Sequence, residues 1–230
     1  MSAPDYAPED FCAAPSNALA REWLARPEGW TNGRLILWGA TGCGKTHLLR
    51  IWAAGQNALV LNGAQLQGPV MAPERPLAID DADASPEPRT LLHVLNAAAE
   101  AGRKVLLTAR HPPSRQALKL ADLASRLRAS LAVEIGAPED DLLELLLSRL
   151  ASERQLNLSP SVRKFLLRRL PRTAGALREA VARLDRAAFE RGARISRLMA
   201  AGLLEDIFSP GTAAPEMLPN RHLTAGDGLL

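Results

Sequence analysis

The sequence predicts an α/β fold: a three-layer αβα core around a parallel five-stranded sheet, followed by a small all-α lid subdomain. Three observations predict it. Short apolar runs recur through the first part of the chain, helical periodicity fills the gaps between them, and after Gly136 the strand signal stops. The runs are 35–38, 58–61, 77–79, 105–108 and 131–135. Each is nearly continuous rather than alternating, as expected of strands covered on both faces. Helical stretches at 47–54, 90–101 and 121–128 separate them, giving the β-α alternation of a layered domain. Four further helices are predicted at 138–153, 160–170, 174–191 and 196–208, with Ser159 and Pro160 as an N-cap and first-turn pair. The expected organisation is an extended N-terminal arm over 1–15, an α/β domain over 16–137, a helical lid over 138–208 and a flexible tail over 209–230. That tail is rich in Pro, Gly and Thr, with no periodicity.

With 230 residues and 47% hydrophobic content, the chain can bury the core of one α/β domain and a small second one. No run of about 18 apolar residues exists. Asp5, Glu9 and Asp10 stand where a secretory signal needs lysines before an apolar stretch. The expectation is a cytoplasmic protein with no membrane insertion. Cys12 and Cys43 are too few for a disulfide framework or a zinc site. A net charge of +3 tolerates a nucleic-acid partner, but 4% aromatic content supplies few stacking platforms for bases.

The chemistry concentrates in Gly39-Ala40-Thr41-Gly42-Cys43-Gly44-Lys45-Thr46, a P-loop pattern placed between a predicted strand and a predicted helix. Its glycines let successive backbone N–H groups turn inward on phosphate oxygens, and the helix that follows offers its positive end. Lys45 then reaches the β- and γ-phosphates, and the Thr46 hydroxyl ligates magnesium. The cofactors expected are therefore ATP or ADP with Mg2+, cradled by 40–46, with His47 next in line. Asp80 and Asp81 close the apolar run 77–79. Asp80 is the expected second metal ligand, and Asp81 stands where a general base or water-positioning carboxylate belongs.

These segments, together with others, resemble the DnaA-type AAA+ family. The stretches that carry the resemblance are "GATGCGKTHL", "LAIDDAD", "LLHVLNAAAEAGRKVLLTARHPP", the Ser125-Arg126 pair in "DLASRL", and "DFCAAPSNALA" upstream of the loop. They cover about residues 9 to 205, in the family's order. The resemblance implies that Phe11, Cys12 and Asn17 lie against the adenine or fix the segment that does. It implies that Thr108 is the sensor I residue contacting the γ-phosphate or attacking water, that Arg126 is the arginine finger, and that Arg178 lies on the sensor II helix. For Arg126 a surface ion pair with Asp122 or Glu134 is the plainer alternative. Two positions depart from the pattern: Arg110 stands where the family usually has Asp, and an ungapped alignment puts Gly175 at the sensor II position.

Within the family the chain is similar to Hda-type regulators. Only 65–76 separate the second strand from the acidic strand, leaving no space for the initiators' DNA-gripping helices, and no DNA-reading domain is expected after the lid. The resemblance implies a DnaA-type initiator and the sliding clamp as partners, with stimulated hydrolysis of initiator-bound ATP as the outcome. It also implies a possible homo-oligomer through Arg126, weak ATPase activity and no specific duplex DNA binding. The clamp is expected from the resemblance alone, since no Gln-Leu segment precedes Phe11, and Gln155-Leu156-Asn157-Leu158 falls between two lid helices. Two other functions fit the same motifs: a stand-alone helicase-loader-like ATPase, and a non-hydrolysing nucleotide-gated adaptor at the replisome or membrane.

Overall fold

A computed structural model describes residue 8 and residues 11–69, 72–116 and 118–208, with side chains in the last helix only to residue 203. Most of the expected arm and all of the expected tail lie outside the described residues. Five strands form one sheet: β1 (Arg34–Trp38), β2 (Leu59–Asn62), β3 (Leu77–Asp80), β4 (Val105–Ala109) and β5 (Leu131–Glu134). Their order is β2-β3-β4-β1-β5, and every neighbouring pair is parallel. Helices α1 (Pro15–Leu24), α2 (Lys45–Gly55), α3 (Pro88–Glu100) and α4 (Ala121–Arg128) cover it. The lid comprises α5 (Asp140–Glu153), α6 (Pro160–Arg169), α7 (Ala174–Arg191) and α8 (Arg197–Phe208).

The continuous apolar runs become two cores because neighbouring strand residues face opposite sides. Leu35 and Leu37 of β1 pack with Ala20 of α1 and Leu48, Leu49 and Trp52 of α2. Ile36, between them, packs on the other side with Leu91, Val94 and Leu95 of α3 and Leu123 and Leu127 of α4. Each such side chain contributes roughly 1.5–3 kcal/mol by leaving water. The lid has its own core, in which Leu147, Val162, Leu166, Leu177 and Val181 are fully buried. Leu156 and Leu158 also pack there, and Gln155 turns the chain at φ 55, so this segment serves the lid interior.

Helix α1 was not among the predicted helices, and its caps explain why. Ala14 at the N-cap has no side chain to offer the free N–H groups of the first turn. Instead the Asn17 side-chain Oδ1 accepts from Ala14 N at 3.1 Å, and the Glu139 carboxylate accepts from Ser16 N at 2.6 Å and Ser16 Oγ at 2.9 Å. The cap comes from the lid linker, 123 residues away in sequence.

Candidate functional site

The strand order reverses beside β1, which pairs with β4 on one side and β5 on the other. Parallel sheets open a crevice at the carboxyl ends of their strands at such a point. The loop joining β1 to α2 lies there. Gly42 at φ 81 and Gly44 at φ 105 adopt backbone conformations that side chains disfavour. Gly42 also meets the lid, since a Cβ there would fall 2.6 Å from Thr173 Cβ. Lys45, 6% exposed, folds into the loop: its Nζ donates to Gly39 O and Ala40 O, both at 2.8 Å, and lies 3.8 Å from Cys43 Sγ. The first turn of α2 contains no acidic residue. An ammonium, turned backbone N–H groups and an uncompensated helix N-terminus make a receptor for an anion.

Three oxygen-bearing side chains converge beside it. Asp80 Oδ1 accepts from Thr46 Oγ1 at 3.1 Å and from Thr108 Oγ1 at 2.6 Å. The Thr108 hydroxyl in turn accepts from Asp81 N at 2.8 Å, so this fully buried threonine is oriented from both sides. Asp80 Oδ2 has no protein donor among the described residues. A carboxylate oxygen and a threonine hydroxyl form the hard-oxygen pair that suits magnesium, which keeps its remaining positions for water and phosphate. Asp81 sits in the left-handed region at φ 50, and Gly63 packs directly on its carbonyl. A non-glycine residue held so is a strained position of the kind found at functional sites.

On the other flank the Phe11 ring lies 3.4 Å from the Cβ position of Gly44 and packs edge-on against His47, with centroids 5.2 Å apart. Asn17, 3% exposed, donates to Cys12 O at 3.0 Å and so fixes the segment carrying Phe11 and Cys12. Thr41 and Ala40 complete the loop. Gly175 and Arg178, about one turn apart on α7, are both exposed. Arg110 is exposed, its backbone N–H bound to Asp83 Oδ2 at 2.8 Å.

Arg126 is elsewhere. It lies near the end of α4, where its carbonyl accepts from Ser130 Oγ at 2.9 Å, and Ser130 accepts from Arg34 Nε at 3.0 Å. Arg34 opens β1, whereas the loop follows Trp38. The sequence suggests that Arg126 is separated from the loop along the rim of the core. In the structure β5 is beside β1, and the separation runs along the strand instead, about 13 Å over the four steps from Arg34 to Trp38 at about 3.3 Å each. Neither Asp122 nor Glu134 forms an ion pair with Arg126 among the described residues.

Sequence reading missed Thr173 and Arg34. Thr173 had a signal, a threonine before a helical run, and it does cap α7 by accepting from Ala176 N at 3.1 Å. Arg34 had only a weak one, a charge at the edge of an apolar strand.

Residues 139–197 match the family profile described as "Hda, lid domain". The chain is 30% identical over 226 residues to the chromosomal replication initiator protein DnaA of Sphingopyxis alaskensis, covering 85% of this chain and 50% of that protein. It thus spans about half the length of that relative. Its fold is that of domain III of the Thermotoga maritima replication initiation protein DnaA (TM-score 0.72, 20% identity, 90% of this chain and 99% of that one). AMPPCP-bound DnaA from Aquifex aeolicus shares it too (TM-score 0.66, 22% identity, 82% and 67% covered).

Proposed function

Because the chain belongs to the DnaA/Hda-type AAA+ family, we propose that it binds ATP or ADP at 39–46 and stimulates hydrolysis of the ATP held by a DnaA-type initiator at the sliding clamp. The link to replication initiation comes with the family. Nucleotide binding is supported by the anion receptor around Lys45 and by the AMPPCP carried by the Aquifex aeolicus relative. Thr46 and Asp80 would hold magnesium, which when bound offsets charge on the β- and γ-phosphate oxygens. Thr108 and Asp81 would then serve the γ-phosphate and its water, Phe11 and Cys12 would lie against the base on a segment fixed by Asn17, and Arg178 would act from the lid.

One observation carries the regulatory part: Arg126 stands at the far end of β1 from Lys45, half-buried and without a carboxylate partner among the described residues. A guanidinium there serves a phosphate on another molecule, an initiator or a second copy of this chain. Between β2 and β3 the only helical element among the described residues is the short turn Gly63–Gln65, and negligible sequence-specific duplex affinity is part of the proposal. Weak, salt-sensitive binding through Arg163, Lys164, Arg168, Arg169 and Arg172 remains compatible with it.

The test mixes the protein with ATP-loaded initiator and DNA-loaded clamp and follows phosphate release. Release that needs all three components is expected; equal release by the protein alone would identify a stand-alone ATPase. Arg110, exposed where the family usually has Asp, favours a second reading, a nucleotide-gated adaptor. Bound ADP with no phosphate release in the complete mixture would select that one.

A further inference from the structure

The amino end of β1 holds a charge that the nucleotide reading does not use. Arg34 is 5% exposed, and its Nε donates to Ser130 Oγ, whose hydroxyl donates to Arg126 O. Asn32 Nδ2 donates to Ala129 O at 3.0 Å and ties down the same helix end. The last turn of α4 is therefore fastened to the start of β1 by side chains 96 and 97 residues away in sequence. A buried charge is ordinarily kept beside an opposite one. Among the described residues neither Arg34 nor Arg126 has a carboxylate within 4.0 Å. Burial, and after it the like charge of Arg126, push the Arg34 guanidinium below its ordinary value. It stays protonated all the same.

We propose that Arg34 is a positioning residue for Arg126: anchored through Ser130, which also holds the Arg126 carbonyl, it fixes the last turn of α4 and so the base of the Arg126 side chain, for use on the phosphate of a nucleoside triphosphate bound by another molecule. This rests on the trans role of Arg126 proposed above. Arg126, without a carboxylate within 4.0 Å among the described residues, is half of a site, and buried Arg34 is its support. The missing half is a polyanion that arrives with a partner, and Arg126 is held ready for it before contact.

The test compares Arg34→Met, Arg34→Lys and Ser130→Ala with Arg126→Ala in the mixture of initiator, clamp and DNA. Arg34→Met should lower the maximal rate of initiator-bound ATP hydrolysis roughly tenfold, a fraction of the 10³ to 10⁵ that such an arginine supplies. The concentration giving half-maximal stimulation should not change. Arg34→Lys should recover part of the loss, and in an Arg126→Ala background Arg34→Met should add nothing. In the protein alone, nitrogen-15 relaxation of the Arg126 Nε–Hε group should show it ordered in wild type and looser in Arg34→Met and Ser130→Ala. If Arg34→Met does not fold, Ser130→Ala decides on the same two readouts. Full stimulation and an unchanged Arg126 signal in these variants, with Arg126→Ala inactive, would overturn the positioning role and leave the trans role standing. Wild-type stimulation by Arg126→Ala would remove both.

Discussion

The two ends of β1 hold cations in opposite circumstances. At the carboxyl end Lys45 is surrounded by carbonyls, and Asp80 is shared between Thr46 and Thr108, so both signs of charge are present within one constellation. At the amino end Arg34 and Arg126 bring one sign only, tied together through Ser130. The first arrangement can receive a polyphosphate and a cation from solution with nothing further from the protein. The second, on the proposal above, is completed when another molecule supplies the anion. On the proposed reading, one strand separates a site for the chain's own ligand from a half-site for another molecule's.

Substitutions at each end should break the two functions apart. The largest effect is expected from Arg126→Ala, which should lower stimulated hydrolysis of initiator-bound ATP by about 10³ or more while the protein's own affinity for a fluorescent ADP analogue is kept. Lys45→Ala should do the reverse to that affinity, weakening it roughly 10- to 150-fold through loss of a charge-assisted phosphate contact, with an unchanged circular dichroism spectrum. Undiminished binding would remove the loop from the account. Gly42→Ala forces a Cβ into a left-handed position and against Thr173, 2.6 Å away. Urea titration should show a loss of about 1–2 kcal/mol from the backbone conformation alone.

The smallest effect concerns the joint between α1 and the lid. Its own backbone N–H, and then the Ser16 hydroxyl and N–H, hold the Glu139 carboxyl below the ordinary carboxylate range, against a push upward from partial burial. A carboxyl lowered by folding stabilises the fold above its ordinary value, and that contribution is lost as pH falls through the lowered one. The melting-temperature advantage of wild type over Glu139→Gln should therefore be constant near neutrality and shrink below about pH 4. A difference independent of pH would assign the effect to shape rather than charge.

What could be read beforehand was local. The loop 39–46, Asp80 at the end of an apolar run and Thr108 at the end of another lie in contiguous patterns, and the structure brings Thr46, Asp80 and Thr108 within hydrogen-bonding distance. What escaped was carried by partners distant in sequence. Helix α1 is capped by Glu139, the loop is met by Thr173, and Arg34 is explained by Ser130. In each case the residue next in the chain says nothing about the residue that satisfies it. Periodicity finds strands and helices, but it does not say which strand ends meet, and the position of Arg126 at the opposite end from Lys45 depends on that pairing.

Where the label goes tests this division most directly. ATP carrying a labelled γ-phosphate is loaded either onto this protein or onto the initiator, with unlabelled nucleotide on the other, and phosphate release is followed in the presence of clamp and DNA. The account predicts accelerated release only when the label starts on the initiator, and loss of that acceleration with Arg126→Ala. Fast release of label that started on this protein, at the same rate with initiator omitted, would contradict it.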